Sequence, residues 1–273
     1  MCPFAVSLAR VSEQPSMASL QEVSLWADSS PHLVHSGLRG RIETQLRAVV
    51  ADLVGRHGRC RVVEVGAGHG TFTRVLRDAG AVVTVTEMSR PSAEVLSRRF
   101  AEDDDVTVVH DATGTEAERL VASGCELVVF ISVLHHIPDY VAAVDSLVRV
   151  LPRGAAFYST QDPLWYADRP VWSLRAAWAS YFAWRIRQGE LRRGIASRIR
   201  RLRGVYDETN PSDMTEYHVV REGVDEKRLV ALLTHYFTDV ELETYWATQD
   251  RVLQRVGERL DGNATPRPDG LYS

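Results

Sequence analysis

Three glycines at alternate positions follow a run of β-branched residues. Arg61–Val65 (RVVEV) leads into Gly66, Gly68 and Gly70, and the chain continues as TFTRVL. Glycines so placed let the backbone turn sharply and let a ligand lie against peptide groups that a side chain would cover. A turn that merely needs glycine has a similar look, so the spacing has to decide. A dinucleotide fingerprint begun by Gly66 and Gly68 needs glycine at position 71, where Thr71 stands, and a Walker loop needs a Gly-Lys-Ser/Thr ending that is absent. Glu64 precedes the first glycine by two positions, and two further acids, Glu87 and Asp111, stand at the ends of strand-like runs. One such acid is an ordinary strand-end cap. Three at successive strand ends point to a ligand crevice, because ligands of open α/β sheets bind outside the carboxyl ends. His135, His136 and His218 are candidate general bases, since imidazole exchanges protons near neutral pH. A helix-start histidine bonded to backbone is the competing role for His135 and His136.

The combination E-x-G-x-G-x-G over 64–70, with acids after the second and third strand-like runs, resembles the class I S-adenosylmethionine-dependent methyltransferases. The resemblance covers roughly residues 42–162 and 222–246. It implies that Glu64, Gly66, Ala67, Gly68 and Gly70 belong to a loop around the amino-acid end of S-adenosylmethionine. It also implies that Glu87 accepts both ribose hydroxyls with Met88 beside it, and that Asp111 and Ala112 lie at the adenine. In FISVLHHIPDY (130–140), Ser132 passes alongside the methionine portion and the histidine pair could face the substrate. The family's nucleobase amino-methylating branch carries Asn/Asp-Pro-Pro-aromatic at this point, where Ser-Val-Leu-His stands here. The implied activity is methyl transfer to an oxygen, nitrogen or carbon nucleophile of a small molecule, secondary metabolites included. The protein's part is alignment within a site closed to water. Two alternatives stay open: an enzyme that binds the cofactor but catalyses a reaction such as cyclisation, and an RNA methyltransferase.

The elements that must position these residues are legible as a strict alternation. Apolar residues from Ile42 to Val54 recur at helical spacing. Then follow a strand at Arg61–Val65, a helix bearing Phe72, Val75, Leu76 and Ala79, a strand at Ala81–Glu87, a helix at Pro91–Phe100 and a strand at Val106–His110. A short helix at Thr115–Ala122, a strand at Glu126–Ile131, a helix capped by Asp139 and a strand at Ala155–Thr160 complete the run. Strands alternating with helices predict a doubly wound, mostly parallel Rossmann-like α/β sheet. Beyond Asp162 the pattern changes. Residues 163–221 are read as a helical insertion rich in aromatics, of which Trp165, Tyr166 and Trp172 are candidate substrate contacts, followed by an arginine run from Arg185 to Arg203. A helix near Val224–His235 and a sixth strand near Asp239–Trp246 are expected to resume the fold, and 249–260 reads as helix where the family has a seventh strand. The domain reading is an N-terminal extension over 1–46, partly disordered and then helical, an α/β core over 47–162, a lid over 163–221 and the rest of the core over 222–273.

Composition narrows the classes. The chain has 273 residues with a net charge of −4, from 36 acids against 32 bases, which argues against a general nucleic-acid binder. No stretch reaches the ~18 apolar residues of a spanning helix, so no membrane role is expected. The start, MCPFAVSLARVSEQPS, lacks the cationic and apolar pattern of a secretory signal. Three widely separated cysteines, Cys2, Cys60 and Cys125, fit a reducing cytoplasm. No metal ligands are assigned. The partners expected are a small-molecule substrate and, as an open possibility, a second copy in a homodimer.

Overall fold

The computed structural model describes residues 30–137, 139–165, 223–248 and 250–261, with residues 171, 172, 175 and 179. Five short apolar runs form its sheet: β1 (Arg61–Val65), β2 (Val82–Glu87), β3 (Val106–His110), β4 (Leu127–Ile131) and β5 (Ala156–Thr160). All neighbouring pairs are parallel, in the order β3-β2-β1-β4-β5. The order reverses between β1 and β4, which opens a crevice at their carboxyl ends. Central strands read as nearly unbroken apolar runs, LVVFI in β4, because both faces of the sheet are covered.

Successive side chains of a strand point to opposite faces, and the two cores divide accordingly. Val62, Val83, Val85, Leu127 and Val129 pack beneath α2 (Ser36–His57), α3 (Thr71–Asp78) and α4 (Arg90–Arg99). Val63, Val128 and Phe130 pack beneath α5 (Glu116–Ala122), α6 (Tyr140–Val150) and α7 (Glu226–Tyr236). A short α1 (Pro31–Val34) precedes α2, and α8 (Arg251–Asp261) follows α7. Helix α2 runs unbroken through residue 46, and its Ile42, Leu46, Val50 and Leu53 share one core with the sheet. Asp139 caps α6 as expected, its Oδ1 accepting from the Ala142 amide at 3.1 Å. Among the described residues no helix is long and apolar enough to cross a membrane.

One expectation is corrected. Residues 239–248 form no strand. Val240 packs against the core but Leu242, two positions on, is half exposed, so the alternating face is not continuously buried. Side chains fasten the segment instead. Glu243 pairs with Arg41 at 2.8 Å and accepts from Gln45, and the Tyr245 hydroxyl lies 2.6 Å from Thr160 Oγ1 and 2.8 Å from Gln161 Nε2. β-Propensity makes a strand only where a neighbouring ladder is formed.

Candidate functional site

The sheet's hydrogen bonding sets the register of the candidate residues. One more ladder-like bond forms past the end of a strand at three places: Gly66 N–H to Thr86 O at 2.8 Å, Asp111 N–H to Glu87 O at 3.0 Å, and Ser132 N–H to Thr160 O at 2.8 Å. The residues after β1, β3 and β4 are thereby held at one edge.

At the centre lies the glycine loop. Gly68 has φ +57, a left-handed conformation costly for most side chains, and a Cβ built there would meet nothing within 4 Å. Gly70 also has positive φ, but a Cβ there would strike Leu96 and Phe100 at 2.7 Å. Gly70 therefore serves close packing against α4, whereas Gly68 borders open space. Glu87, buried at the end of β2, faces the same loop. Its Oε2 accepts from Gly68 N–H at 3.0 Å and its Oε1 from Ser89 N–H at 2.9 Å. Burial raises the Glu87 carboxyl, while the backbone donors of Ser89 and Gly68 pull it back. A carboxylate has about four acceptor positions, so the amides of Ser89 and Gly68 do not fill it. Met88 stands 62% exposed next to it.

Glu64 lies beneath the loop. Strand alternation places it on the α3 side of β1, where its Oε2 accepts from Thr73 Oγ1 at 2.6 Å, tying β1 to the helix after the loop. Burial pushes its carboxyl from 4.5 up to about 7, opposed by the Thr73 bond and reinforced by Glu87. Between those two values the folded protein keeps a proton that the unfolded chain has released. Stability therefore falls as pH rises through that window, and the loss is complete above it. Glu64→Gln keeps an acceptor for Thr73 and cannot ionise. Its melting temperature is expected to change little with pH from 5 to 8 at this site, so that the variant gains on the parent at pH 8; parallel pH slopes in thermal scans would refute this.

Asp111 binds the start of the next helix. Its Oδ1 accepts from Thr115 N–H at 3.1 Å, and its Oδ2 from Glu116 N–H at 3.0 Å and Ala117 N–H at 3.4 Å. It thus satisfies the orphan amides at the start of α5, while Ala112 is exposed beside it.

The ends of β4 and β5 form the other half of the site. Ser132 and Gln161 are the non-glycine residues with positive φ among those described, at +62 and +65, and they follow adjacent strands. Next to them His135, buried in the turn Leu134–His136, places its Nδ1 2.6 Å from Asp162 Oδ1, which also accepts from the His135 amide at 3.2 Å. Ser159 Oγ donates to Asp162 Oδ2 at 3.0 Å. His136 is exposed, its ring 4.1 Å from that of His135. The His135–Asp162 bond locks the β4 loop to the β5 loop. His135→Ala would leave Asp162 short of a buried donor, at roughly 1–3 kcal/mol of stability. The expected result is a lower urea midpoint, restored in large part by His135→Asn, whose amide can donate from the Nδ1 position; equal midpoints for all three proteins would contradict it.

The structure adds a residue that sequence reasoning missed. His32 in α1 is buried, its ring 5.6 Å from that of Phe72, and Gln161, His135 and Asp162 are near enough to act on its charge. The Ser-Pro helix start at Ser30 and Pro31 is visible in the sequence, but no local spacing links residue 32 to loops beyond residue 130. Of the insertion, Trp165 is half-buried, its amide donating to Glu226 Oε2 at 3.2 Å, and Trp172 is 63% exposed and stacked on Trp246 at 6.4 Å. Leu164 and Val224 form a parallel bridge, which brings the two ends of the insertion together. Tyr166, His218 and the arginine run lie outside the described residues.

A family model described as a methyltransferase domain matches residues 38–194. The ubiquinone biosynthesis O-methyltransferase of Haemophilus ducreyi is 29% identical over 106 residues, 37% of this chain and 44% of the relative. That of Aromatoleum aromaticum is 32% identical over 103 residues, 37% of this chain and 43% of the relative. The chain spans about half the length of the curated relatives it matches. Among solved structures, the N-methyltransferase NodS from Bradyrhizobium japonicum in complex with S-adenosyl-L-homocysteine is similar at 19% identity, with a TM-score of 0.40 over 52% of this chain and 70% of that one.

Proposed function

The chain belongs to this methyltransferase-domain family, and from that premise we propose that it transfers the methyl group of S-adenosylmethionine to an oxygen, nitrogen or carbon nucleophile of a small molecule. The observation that carries this reading is the pairing of Gly68 with Glu87. A glycine backbone borders space that a Cβ would enter, and a carboxylate bonded to that backbone has further acceptor capacity. Such a pair fits the cofactor's chemistry, because a vicinal diol supplies two donors and the absence of phosphate leaves nothing for the carboxylate to repel.

When bound, the cofactor supplies a methyl group on a cationic sulfur, which any well-aligned nucleophile can take. The chain's own contribution is then binding and alignment. The loop Gly66–Gly70 lies against the amino-acid end, Glu87 accepts the ribose hydroxyls, and Met88 covers the neighbouring apolar surface. Glu64 and Asp111 act one step back, the first holding the loop onto α3 and the second holding α5. Ser132 and the locked pair His135–Asp162 shape the wall on the β4–β5 side. Trp165, Tyr166 and Trp172 are assigned to the substrate side, near the Leu164–Val224 bridge that joins the two ends of residues 163–221, and His136 and His218 remain assigned to the same side.

The test is methyl transfer itself. The protein is incubated with S-adenosylmethionine and a panel of small phenols, alcohols and amines, and S-adenosylhomocysteine is quantified. Its release above the acceptor-free control is the expected result. Tight cofactor binding with no transfer to any acceptor would favour a non-methylating reaction.

A further inference from the structure

Helices α2 and α3 lie on the same face of the sheet and leave between them a cleft of about 550 Å³. That volume is in the range of small-molecule sites, roughly 300–1,000 Å³. Arg39 and Arg47 of α2, Arg74 of α3 and Arg99 at the end of α4 line it, against two carboxylates, Glu43 and Asp78. The chain as a whole carries a net charge of −4, so this excess of positive charge is local.

The two carboxylates do not neutralise the four guanidiniums. Arg39 stands 3.9 Å from Glu43 and Arg74 stands 3.8 Å from Asp78, both too far for a hydrogen bond. Asp78 is nearer to Arg77, at 3.1 Å. Arg47 has no ion pair or hydrogen bond among the described residues, and Arg99 donates to the backbone carbonyl of His69 in the glycine loop rather than to an acid. The hydroxyls of Ser36 and Thr71, which also line the cleft, are likewise without hydrogen-bond partners among the described residues. Like charges gathered in a concave surface raise the local potential and attract anions. Gly40 keeps the α2 wall bare. A Cβ there would meet nothing within 4 Å, although glycine is a poor residue for a helix interior.

We propose that this cleft binds a ligand bearing a di- or triphosphate, at a place separate from the cofactor crevice. Guanidinium matches phosphate oxygens in a bidentate fork, which favours arginine for this ligand. The spacing favours linked phosphates over one. Arg39 and Arg47 are eight residues apart on α2, roughly 12 Å along the helix axis. A single phosphate would have to draw them together against their repulsion, whereas linked phosphates meet them where they stand. The glycine loop and Glu87 follow β1 and β2, while the cleft is walled by the flanks of α2 and α3. The site therefore does not depend on the methyltransferase reading.

The experiment is calorimetric titration of the full chain with inorganic triphosphate, pyrophosphate or phosphate, at fixed ionic strength and without divalent metal, with and without saturating S-adenosylhomocysteine. Triphosphate is expected to bind at least tenfold more tightly than phosphate, with pyrophosphate between them, and to do so equally in both conditions. Arg47→Gln and Arg74→Gln, both at exposed helical positions, should each weaken triphosphate at least fivefold with melting temperature and S-adenosylhomocysteine affinity close to the parent. Gly40→Glu, which sets a carboxylate on the α2 wall, should weaken it further. Arg149→Gln on α6, over the opposite face of the sheet, is the control for overall charge and should bind triphosphate within twofold of the parent. Equal affinity for phosphate and triphosphate, normal binding by Arg47→Gln and Arg74→Gln, or equal weakening by Arg149→Gln would overturn the proposal. So would displacement of triphosphate by S-adenosylhomocysteine, which would put the anion in the cofactor crevice. A parent protein that binds triphosphate but not S-adenosylhomocysteine would support the cleft and sink the methyltransferase reading alone.

Discussion

Gly68→Val is expected to abolish measurable cofactor binding while the protein stays folded. The two halves of this result have separate causes. A Cβ at Gly68 meets no protein atom within 4 Å, so the first carbon of the new side chain has room in the fold. The remaining cost is that of a β-branched residue at φ +57, of order 1–3 kcal/mol. The branched side chain does, however, stand where the ligand must approach the loop. Gly70→Val is the control. Its side chain would collide with Leu96 and Phe100, so it is expected to lose stability first and binding only as a consequence. Circular dichroism melts and calorimetric titration with S-adenosylhomocysteine separate the two. Normal binding by a folded Gly68→Val protein would reduce the loop to a turn and remove the main support for the proposed function.

Glu87→Ala should weaken S-adenosylmethionine binding by roughly 10²–10⁴-fold. Two charge-assisted hydrogen bonds to the ribose would be lost, at about 1.5–3 kcal/mol each. The same carboxylate holds Gly68 N–H and Ser89 N–H, so the loop also loses its anchor to β2 and the effect lies toward the upper end. Asp111→Ala provides the contrast. Three amides at the start of α5 lose their acceptor, so its principal expected effect is on stability. If calorimetry finds Glu87→Ala binding within threefold of the parent, Glu87 is a loop anchor only and the cofactor lies elsewhere.

Much of this was readable from neighbours in the chain. Arg61–Val65 and Val106–His110 are strands with the bounds read from the sequence, because a β-branched run between helical stripes has few other ways to bury its side chains. The three-glycine loop and the acid at the end of β2 are equally local, since the tight turn and the strand end are set by residues within a few positions. Local spacing did not determine what each acid does. Glu64, Glu87 and Asp111 look alike as carboxylates near strand ends, yet one is buried under α3, one bonds the glycine loop, and one caps α5. Those fates depend on strand alternation and on where the following chain folds back. The sixth strand failed for a related reason. Residues 239–246 have the residue types of a strand, but the tertiary structure secures them through Glu243 and Tyr245. The polar half of the site belongs to the tertiary structure altogether. His135 meets Asp162 across 27 positions because β4 and β5 are adjacent in the sheet, and His32 comes near Gln161 because α1 folds over their ends. Periodicity encodes which way a side chain points from its own element. Which elements come to lie side by side is decided only when the whole sheet and its covering helices pack.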